Sequence, residues 1–229
     1  MKLVVLVFTV LAAAPVLAQG EYLRPGQWGL SGSAALAHTD GATGPGVVLA
    51  VSPSDRIDIR LGLASLYRYT EAGLGTDGGD DRFVSISPHV GFFLAKQEHT
   101  QPINIEASVG YQMAMWDHLR DYGRGRRDDR YRNQISVHAI TFGAVVSRDL
   151  DARPRHTVLP RLGVSFMPIT FVEGEVAGES LVAGSFSVGW GLPVTARSTL
   201  VVTPEVALGS EGVGFALGLG VVRSGGRVR

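Results

Sequence analysis

Residues 56–69 read RIDIRLGLASLYRY, and apolar side chains alternate strictly with polar or small ones. One face carries Ile57, Ile59, Leu61 and Leu63, and the other carries Asp58, Arg60, Gly62 and Ala64. A period of two is typical of a β-strand with two unlike faces, because a helix repeats about every 3.6 residues. The stretch therefore predicts one long amphipathic strand.

The same alternation recurs along the chain and predicts ten strands, with eight as the alternative number. The runs are 27–38, 46–53, 56–69, 84–94, 103–113, 135–147, 158–167, 181–192, 200–209 and 213–223. Strands of soluble proteins average about five or six residues, whereas a strand tilted across a bilayer needs about 9 to 11. The run lengths therefore favour an all-β fold, an antiparallel up-and-down transmembrane β-barrel.

The connections between these runs alternate in length. Short turns are predicted at 52–55 and 193–198, and longer loops at 70–82, 117–134 and 168–180. Outer-membrane barrels alternate short periplasmic turns with longer extracellular loops, and an even number of strands places both ends of the barrel in the periplasm. Pro88 and Pro204 fall inside runs, where each removes one donor from the strand ladder.

Composition excludes several classes of protein. The chain has 229 residues, 30 glycines, no cysteine and a formal net charge of zero. The lack of cysteine excludes a disulfide scaffold, a thiolate zinc site and a cysteine nucleophile. A neutral chain is not expected to bind nucleic acid, because such proteins carry a basic surface.

The first residues are predicted to be a secretory signal peptide. Lys2 precedes an apolar run of about a dozen residues, and small residues at Val16-Leu17-Ala18 suit signal peptidase. The predicted organisation is a signal peptide at 1–18, a short lead at 19–26, the barrel at 27–223 and a tail at 224–229.

The polar faces of the runs predict a lumen filled by its own side chains. The residues predicted to form this network are Asp58, Arg60, His89, Asn104, Glu106, Gln112, Arg161 and Glu205. Charged groups inside a narrow barrel must be paired, which predicts a plugged lumen. Glycines on the same faces would leave room for water and favour the alternative of a slender pore; they are Gly62, Gly91, Gly110, Gly163, Gly214, Gly218 and Gly220.

The longest predicted loop, 117–134, combines arginine and tyrosine in the way that recognition surfaces do. Its candidate interaction residues are Arg120, Tyr122, Arg124, Arg126, Arg127, Arg130, Tyr131 and Arg132. They could bind lipopolysaccharide phosphates or another partner, or form an ordinary solvated loop. The acidic cluster of Asp77, Asp80 and Asp81 matches no calcium-loop spacing, and no metal or cofactor is expected.

With its signal peptide, amphipathic runs and charged loops, the chain resembles small bacterial outer-membrane barrels of the OmpA and OmpW type over residues 27–223. The resemblance implies an outer-membrane location, contact with outer-membrane lipid and assembly by the barrel assembly machinery. That family commonly ends in an aromatic residue, whereas this chain ends in Arg227-Val228-Arg229. Oligomeric state is left open.

Three functions are compatible with these features. The first is a structural or surface-interaction barrel with a largely plugged lumen, and the second is a narrow passive pore for small or hydrophobic solutes. The third is a soluble periplasmic sandwich or lipocalin-like binder. An enzyme is not expected: Asp80, Asp81, Asp117 and His118 resemble the rim of omptin proteases in composition alone, and no catalytic motif occurs.

Overall fold

The described part of the protein, a computed structural model, contains twelve strands preceded by one helical turn. The structure describes residues 19–23, 26–39, 42–70, 79–97, 101–120, 132–150, 157–168, 170–172, 175–176, 180–209 and 212–227. A 3-10 turn at Gln19–Tyr22 precedes β1 (Gln27–Thr39), β2 (Ala42–Ser54), β3 (Ile57–Thr70), β4 (Gly79–Ala95), β5 (Asn104–Arg120), β6 (Arg132–Ser147), β7 (Thr157–Met167), β8 (Thr170–Val172), β9 (Glu175–Val176), β10 (Leu181–Thr195), β11 (Ser198–Gly209) and β12 (Gly212–Arg227). The predicted signal peptide at 1–18 lies outside the described residues.

Ten of these strands close into one antiparallel barrel. Each long strand pairs with its neighbour in the chain, β7 pairs with β10, and β1 pairs with β12 to close the ring. The short hairpin of β8 and β9 lies beside β6, where Val137 pairs with Val172. Ten strands are confirmed over eight, and a single closed sheet excludes the sandwich alternative.

The barrel wall has an apolar exterior and a more polar interior. On β3, Ile59, Leu61 and Leu63 are exposed, whereas Asp58 and Arg60 are buried. The other long strands follow the same rule, with Leu36, Leu94, Leu162 and Leu217 more than half exposed. A closed barrel satisfies its backbone hydrogen bonds internally, so an apolar exterior fits it to lipid. Among the described residues, no helix is long and apolar enough to span a membrane.

The two ends of the barrel differ. At the turn end, Asp55 and Arg56 join β2 to β3. The first strand, β1, begins at this end, and the last strand, β12, ends there. The opposite end, called the loop end, carries the two longest connections, between β5 and β6 and between β7 and β10. Exposed Trp28, Phe92 and Trp190 lie toward the turn end, in the position of an interfacial aromatic girdle.

Several predicted strand boundaries were wrong. Tyr67 pairs with Arg82, Arg82 with Asp117, and Asp117 with Gln134, so β3 to β6 continue into the predicted loops 70–82 and 117–134. The barrel also continues to Arg227, past the predicted start of the tail at residue 224. Backbone hydrogen bonds between strands form whether the residues are polar or apolar. The alternation of hydrophobic residues therefore does not show how far a strand continues.

Pro88 and Pro204 each interrupt one ladder and preserve the other. Pro88 pairs with Leu61 on β3, while the pairing of β4 with β5 skips from Ile86 to His89. Pro204 pairs with Leu217 on β12, while the pairing of β11 with β10 skips positions 203 and 204. A missing donor is thus confined to one side of each proline.

Candidate functional site

The lumen contains the largest group of buried polar side chains among the described residues. All eight residues predicted for the lumen network lie on inward-facing positions of the wall. Seven are buried, and His89 is half-buried. They occupy two zones, an ionic layer near the turn end and a band of polar and small residues in the middle.

The ionic layer contains one arginine between two carboxylates. The Arg60 guanidinium donates to Asp58 at 3.3 Å and to Glu106, and the Ser52 hydroxyl donates to Asp58. All three charged side chains are at most 5% exposed. Buried charges are tolerated when they are paired and hydrogen-bonded, so this triad holds β3 and β5 together across β4.

Glycine makes room for this triad. An added Cβ at Gly91, on the intervening strand β4, would lie 2.4 Å from Glu106 Oε1 and 2.6 Å from the Arg60 guanidinium. Any larger residue there would displace the ion pair. Gly91 therefore serves side-chain packing, and the expectation that it leaves room for water was wrong at this position.

Side chains from neighbouring strands also fill the space beside other inner-wall glycines. The His89 ring covers Gly110 so closely that an added Cβ would lie 2.1 Å from His89 Nδ1. The hydroxyls of Ser87 and Ser185 take the corresponding places at Gly62 and Gly163, at 2.5 and 2.7 Å. These glycines accommodate cross-strand neighbours, so they are not evidence for an open channel.

A segment that precedes the barrel enters the lumen at the turn end. This lumenal segment comprises residues 19–23, within the predicted lead. Glu21 accepts hydrogen bonds from Arg161 Nε and from Ser147 Oγ, both at 2.5 Å. Asn104 Nδ2 donates to the same serine at 3.3 Å. Arg161 and Asn104 are thereby connected through the lumenal segment.

The following residues of the lumenal segment are also held by the wall. The Tyr22 ring lies 5.7 Å from the Arg161 guanidinium and packs against Val201 and Val222. Its hydroxyl would be 2.5 Å from a Cβ at Gly189, so glycine is required there. Burial raises the pKa of the Tyr22 hydroxyl above its usual value, although the positive charge of Arg161 acts in the opposite direction.

Lys96, which directly follows β4, fixes the end of the segment. Its Nζ donates to the Leu23 carbonyl at 2.9 Å and lies 3.7 Å from Asp55 Oδ2. Asp55 Oδ1 also accepts from the Gly26 amide at 3.0 Å. Burial lowers the pKa of Lys96 below its usual value, against the opposing effect of Asp55.

Sequence reasoning missed the lumenal segment. Residues 19–26 have no strand pattern, and nothing in their composition marks them as interior. The available signal was a pair of cations near the turn end, Arg161 and Lys96, which need acceptors when buried. Glu21 and the Leu23 carbonyl supply those acceptors.

Toward the loop end the interior becomes apolar. Ala37, Ala42, Leu66 and Phe83 form one buried cluster, and Leu66 and Phe83 are at most 1% exposed. Across the lumen, Val137, Met167 and Leu181 are likewise buried on inward-facing positions. Apolar side chains therefore line the lumen above the ionic layer, and the sequence analysis did not anticipate this layer.

Between these two layers, several polar atoms are buried without a hydrogen-bond partner in the described part of the chain. They include both amide atoms of Gln112 and the hydroxyls of Thr141 and Thr203. Glu205 faces the same band and is 8% exposed. Sequence alternation located these inward positions but gave no indication that partners would be lacking.

The predicted loop surface is only partly described. Arg120 and Arg132 are strand residues, at the end of β5 and the start of β6. Tyr122, Arg124, Arg126, Arg127, Arg130 and Tyr131 lie outside the described residues, as does Asp77. Within the described ranges, no group of three or more metal-ligating side chains occurs.

The exterior carries two polar pairs that were not predicted. Near the loop end, the Arg82 guanidinium lies 5.5 Å from the centre of the Tyr67 ring, an arrangement that suits the level at which lipid headgroups meet water. Nearer the middle of β5 and β6, Tyr111 Oη and His138 Nδ1 are 2.5 Å apart and satisfy each other on the outer surface.

Comparison with known proteins identifies the fold but not a family. No family model matches the chain, and no curated protein sequence matches it. Among solved structures, the translocator domain of autotransporter NalP from Neisseria meningitidis is 10% identical, with a TM-score of 0.54 over 96% of this chain and 98% of that one. The transport unit of autotransporter AIDA-I from Escherichia coli is 11% identical, with a TM-score of 0.54 over 89% and 91%. The fold is that of bacterial outer-membrane β-barrels, and the predicted localisation is confirmed.

Proposed function

We propose that this outer-membrane β-barrel is a structural and surface-interaction protein whose lumen does not conduct in the resting state. The observation that carries the proposal is the ion pair of Glu21 with Arg161, which holds the lumenal segment inside the turn-end mouth. A segment bound by an ion pair, by Ser147 and by Lys96 obstructs passage where the lumen meets the periplasm.

Two further layers support a closed lumen. The triad of Asp58, Arg60 and Glu106 reaches across the inner wall in the next layer, and Leu66 and Phe83 are buried in the apolar layer beyond it. An apolar constriction opposes the passage of ions because water leaves it readily. A solute would therefore meet three obstacles of different chemistry.

The test of this proposal is conductance of the purified full chain in planar lipid bilayers. We expect no stable current steps, with an open outer-membrane porin in the same membrane as the positive control. Reproducible steps of uniform size from the full chain would contradict the proposal and favour the alternative of a narrow pore. Folding is checked in each preparation by the change of gel mobility on boiling.

The proposed interaction partner at the loop end is the phosphate of outer-leaflet lipid, lipopolysaccharide in particular. The support is the exposed Arg82, which lies beside the half-exposed Tyr67 ring on the lipid-facing side of β3 and β4. An arginine fork can bind phosphate with two parallel hydrogen bonds. The arginines of the 117–134 segment would extend the same surface.

This interaction is tested by comparing thermal unfolding in phosphatidylcholine vesicles with and without lipopolysaccharide. We expect lipopolysaccharide to raise the unfolding temperature of the wild type and to raise it less for Arg82→Leu. Arg56→Leu removes an exposed arginine from the turn end and is the matched control. An equal effect of lipopolysaccharide on both variants would contradict the assignment to Arg82.

A further inference from the structure

The middle of the lumen contains hydrogen-bonding groups that none of the described residues engages. Gln112 is 0%, Thr203 1% and Thr141 3% exposed, and their side-chain polar atoms have no partner among the described residues. An unsatisfied buried donor or acceptor is destabilising, because it has lost its hydrogen bonds to water without gaining others. Four such atoms in one band of the lumen would be a large penalty for a solid core.

These groups face one another across the barrel. Gln112 on β5 and Thr141 on β6 are inward-facing neighbours, because Gly110 pairs with Thr141 and Gln112 with Ala139. Thr203 lies on β11, which is separated from β5 in the ring by β6, β7 and β10. In a ring of ten strands, this places Thr203 on nearly the opposite wall.

The same band retains space of solvent size. Val48, Ser108, Val145 and Ser185 face inward, yet each is only partly buried. Water can reach these side chains only from the lumen, because their strands close the wall behind them. A polar and roomy enclosure is where a folded protein holds ordered water.

We propose that the middle of the lumen is a hydrated chamber, and that it admits small uncharged polar molecules through the turn-end mouth when the lumenal segment leaves it. The proposal rests on the proposed function in that it takes the resting barrel to be closed. The unpartnered atoms include both donors and acceptors, which suits hydroxyl- and amide-bearing solutes.

The charges around the chamber define what it excludes. The described lumen and its mouth contain the cations Arg60, Lys96 and Arg161. They contain the carboxylates Glu21, Asp55, Asp58, Glu106 and Glu205. Glu21 leaves with the lumenal segment, and the remaining carboxylates still balance the cations, so an anion gains no net attraction and must be desolvated on entry.

The turn-end mouth is the weaker of the two closures. At the loop end, Leu66, Phe83 and Met167 belong to hydrogen-bonded strands, so opening there requires repacking of the barrel. At the turn end, the lumenal segment pairs with no strand and is held by polar contacts of Glu21 and the Leu23 carbonyl and by the packing of the Tyr22 and Leu23 side chains. Water replaces the polar contacts at a modest net cost, and no backbone ladder has to break.

The chain has no cysteine, so one introduced thiol reports access to the chamber. Thr203→Cys is reacted with neutral methyl methanethiosulfonate and with the anionic sulfonatoethyl reagent, alone and together with Glu21→Arg. The second change places a cation against Arg161 and expels the lumenal segment. Val202→Cys, on the adjacent lipid-facing position, is the matched control.

We expect Glu21→Arg to increase the rate of the neutral reagent at Thr203→Cys by about tenfold or more, as when an occluded site opens. The anionic reagent should gain less, and Val202→Cys should not respond. A rate at Thr203→Cys that Glu21→Arg does not change would overturn the proposal, whether the rate is slow throughout or already fast in the closed chain.

Two controls keep the outcome decisive. If Thr203→Cys does not fold, Ser187→Cys replaces it, because Ser187 pairs with Glu205 on the same inner wall. Conductance is measured on the same full-chain preparations. Current steps in the full chain would contradict the closed resting state. The rates of thiol modification test the chamber and its entrance independently of conductance.

Discussion

Glu21 and Arg161 form an ion pair of 2.5 Å inside the barrel, although 140 positions of sequence separate them. Glu21 lies before the first strand, and Arg161 lies on the inner face of β7. Through this pair, the residues that precede the first strand become part of the barrel interior. The lumen of this protein is therefore closed by a segment that is not a strand.

The lipid-facing assignment is tested by arginine substitutions on one strand. Leu61→Arg, near the middle of the outward face of β3, should lower the free energy of unfolding by about 2–4 kcal/mol. Tyr67→Arg, on the same face beside Arg82 at the loop end, should cost about 0–1 kcal/mol. Urea unfolding in lipid vesicles measures both. Equal costs would show that β3 does not cross the bilayer at Leu61.

The stability of the folded barrel should depend strongly on Arg60, the arginine of the inner-wall ion triad. Arg60→Met leaves Asp58 and Glu106 buried without their shared cation, which should cost about 3–5 kcal/mol of stability. Arg56→Met removes an exposed arginine from the neighbouring turn and should change stability by about 0.5 kcal/mol or less. Tryptophan fluorescence during urea unfolding compares the two. Similar values for both variants would refute the triad.

The contact of His89 with Gly110 predicts a coupled pair of substitutions. Gly110→Ala forces the His89 ring away from its place and should cost about 1–3 kcal/mol through overpacking. In a His89→Ala background the same change should cost much less, because the space is then free. Gly46→Ala is the control, since its Cβ would approach no atom closer than 3.4 Å. Additive effects at 110 and 89 would contradict the contact.

The raised pKa of Tyr22 gives a spectroscopic prediction. Exposed tyrosines ionise near the usual value of 10.0, whereas Tyr22 should keep its proton to a higher pH in the folded barrel. Tyrosinate absorbance near 295 nm should therefore contain a late component that Tyr22→Phe removes. The unfolded chain loses this proton first, so stability falls as pH rises through about 10 in the wild type and less so in Tyr22→Phe. A titration unchanged by Tyr22→Phe would place this side chain in solvent.

The strands and their facing were predictable because alternation is a local property. Asp58 and Arg60 are two residues apart on one strand, so their shared inward face follows from the period of two. The partner of Arg60 is Glu106, 46 positions away, and only the register of β3, β4 and β5 brings them together. The strand ends were less predictable, because ladder pairing extends β5 to Arg120 through polar residues.

By itself, the sequence determined a ten-stranded barrel with an apolar exterior and the side of the wall on which each polar residue lies. Those features depend on alternation and run length, which are properties of residues that are neighbours in the sequence. Only the tertiary structure decided that residues 19–23 enter the lumen, that glycines accept cross-strand side chains, and that Gln112 and Thr203 find no hydrogen-bond partner within the described ranges. These features depend on which strands meet across a closed ring, and no local pattern encodes distances between residues more than a hundred positions apart.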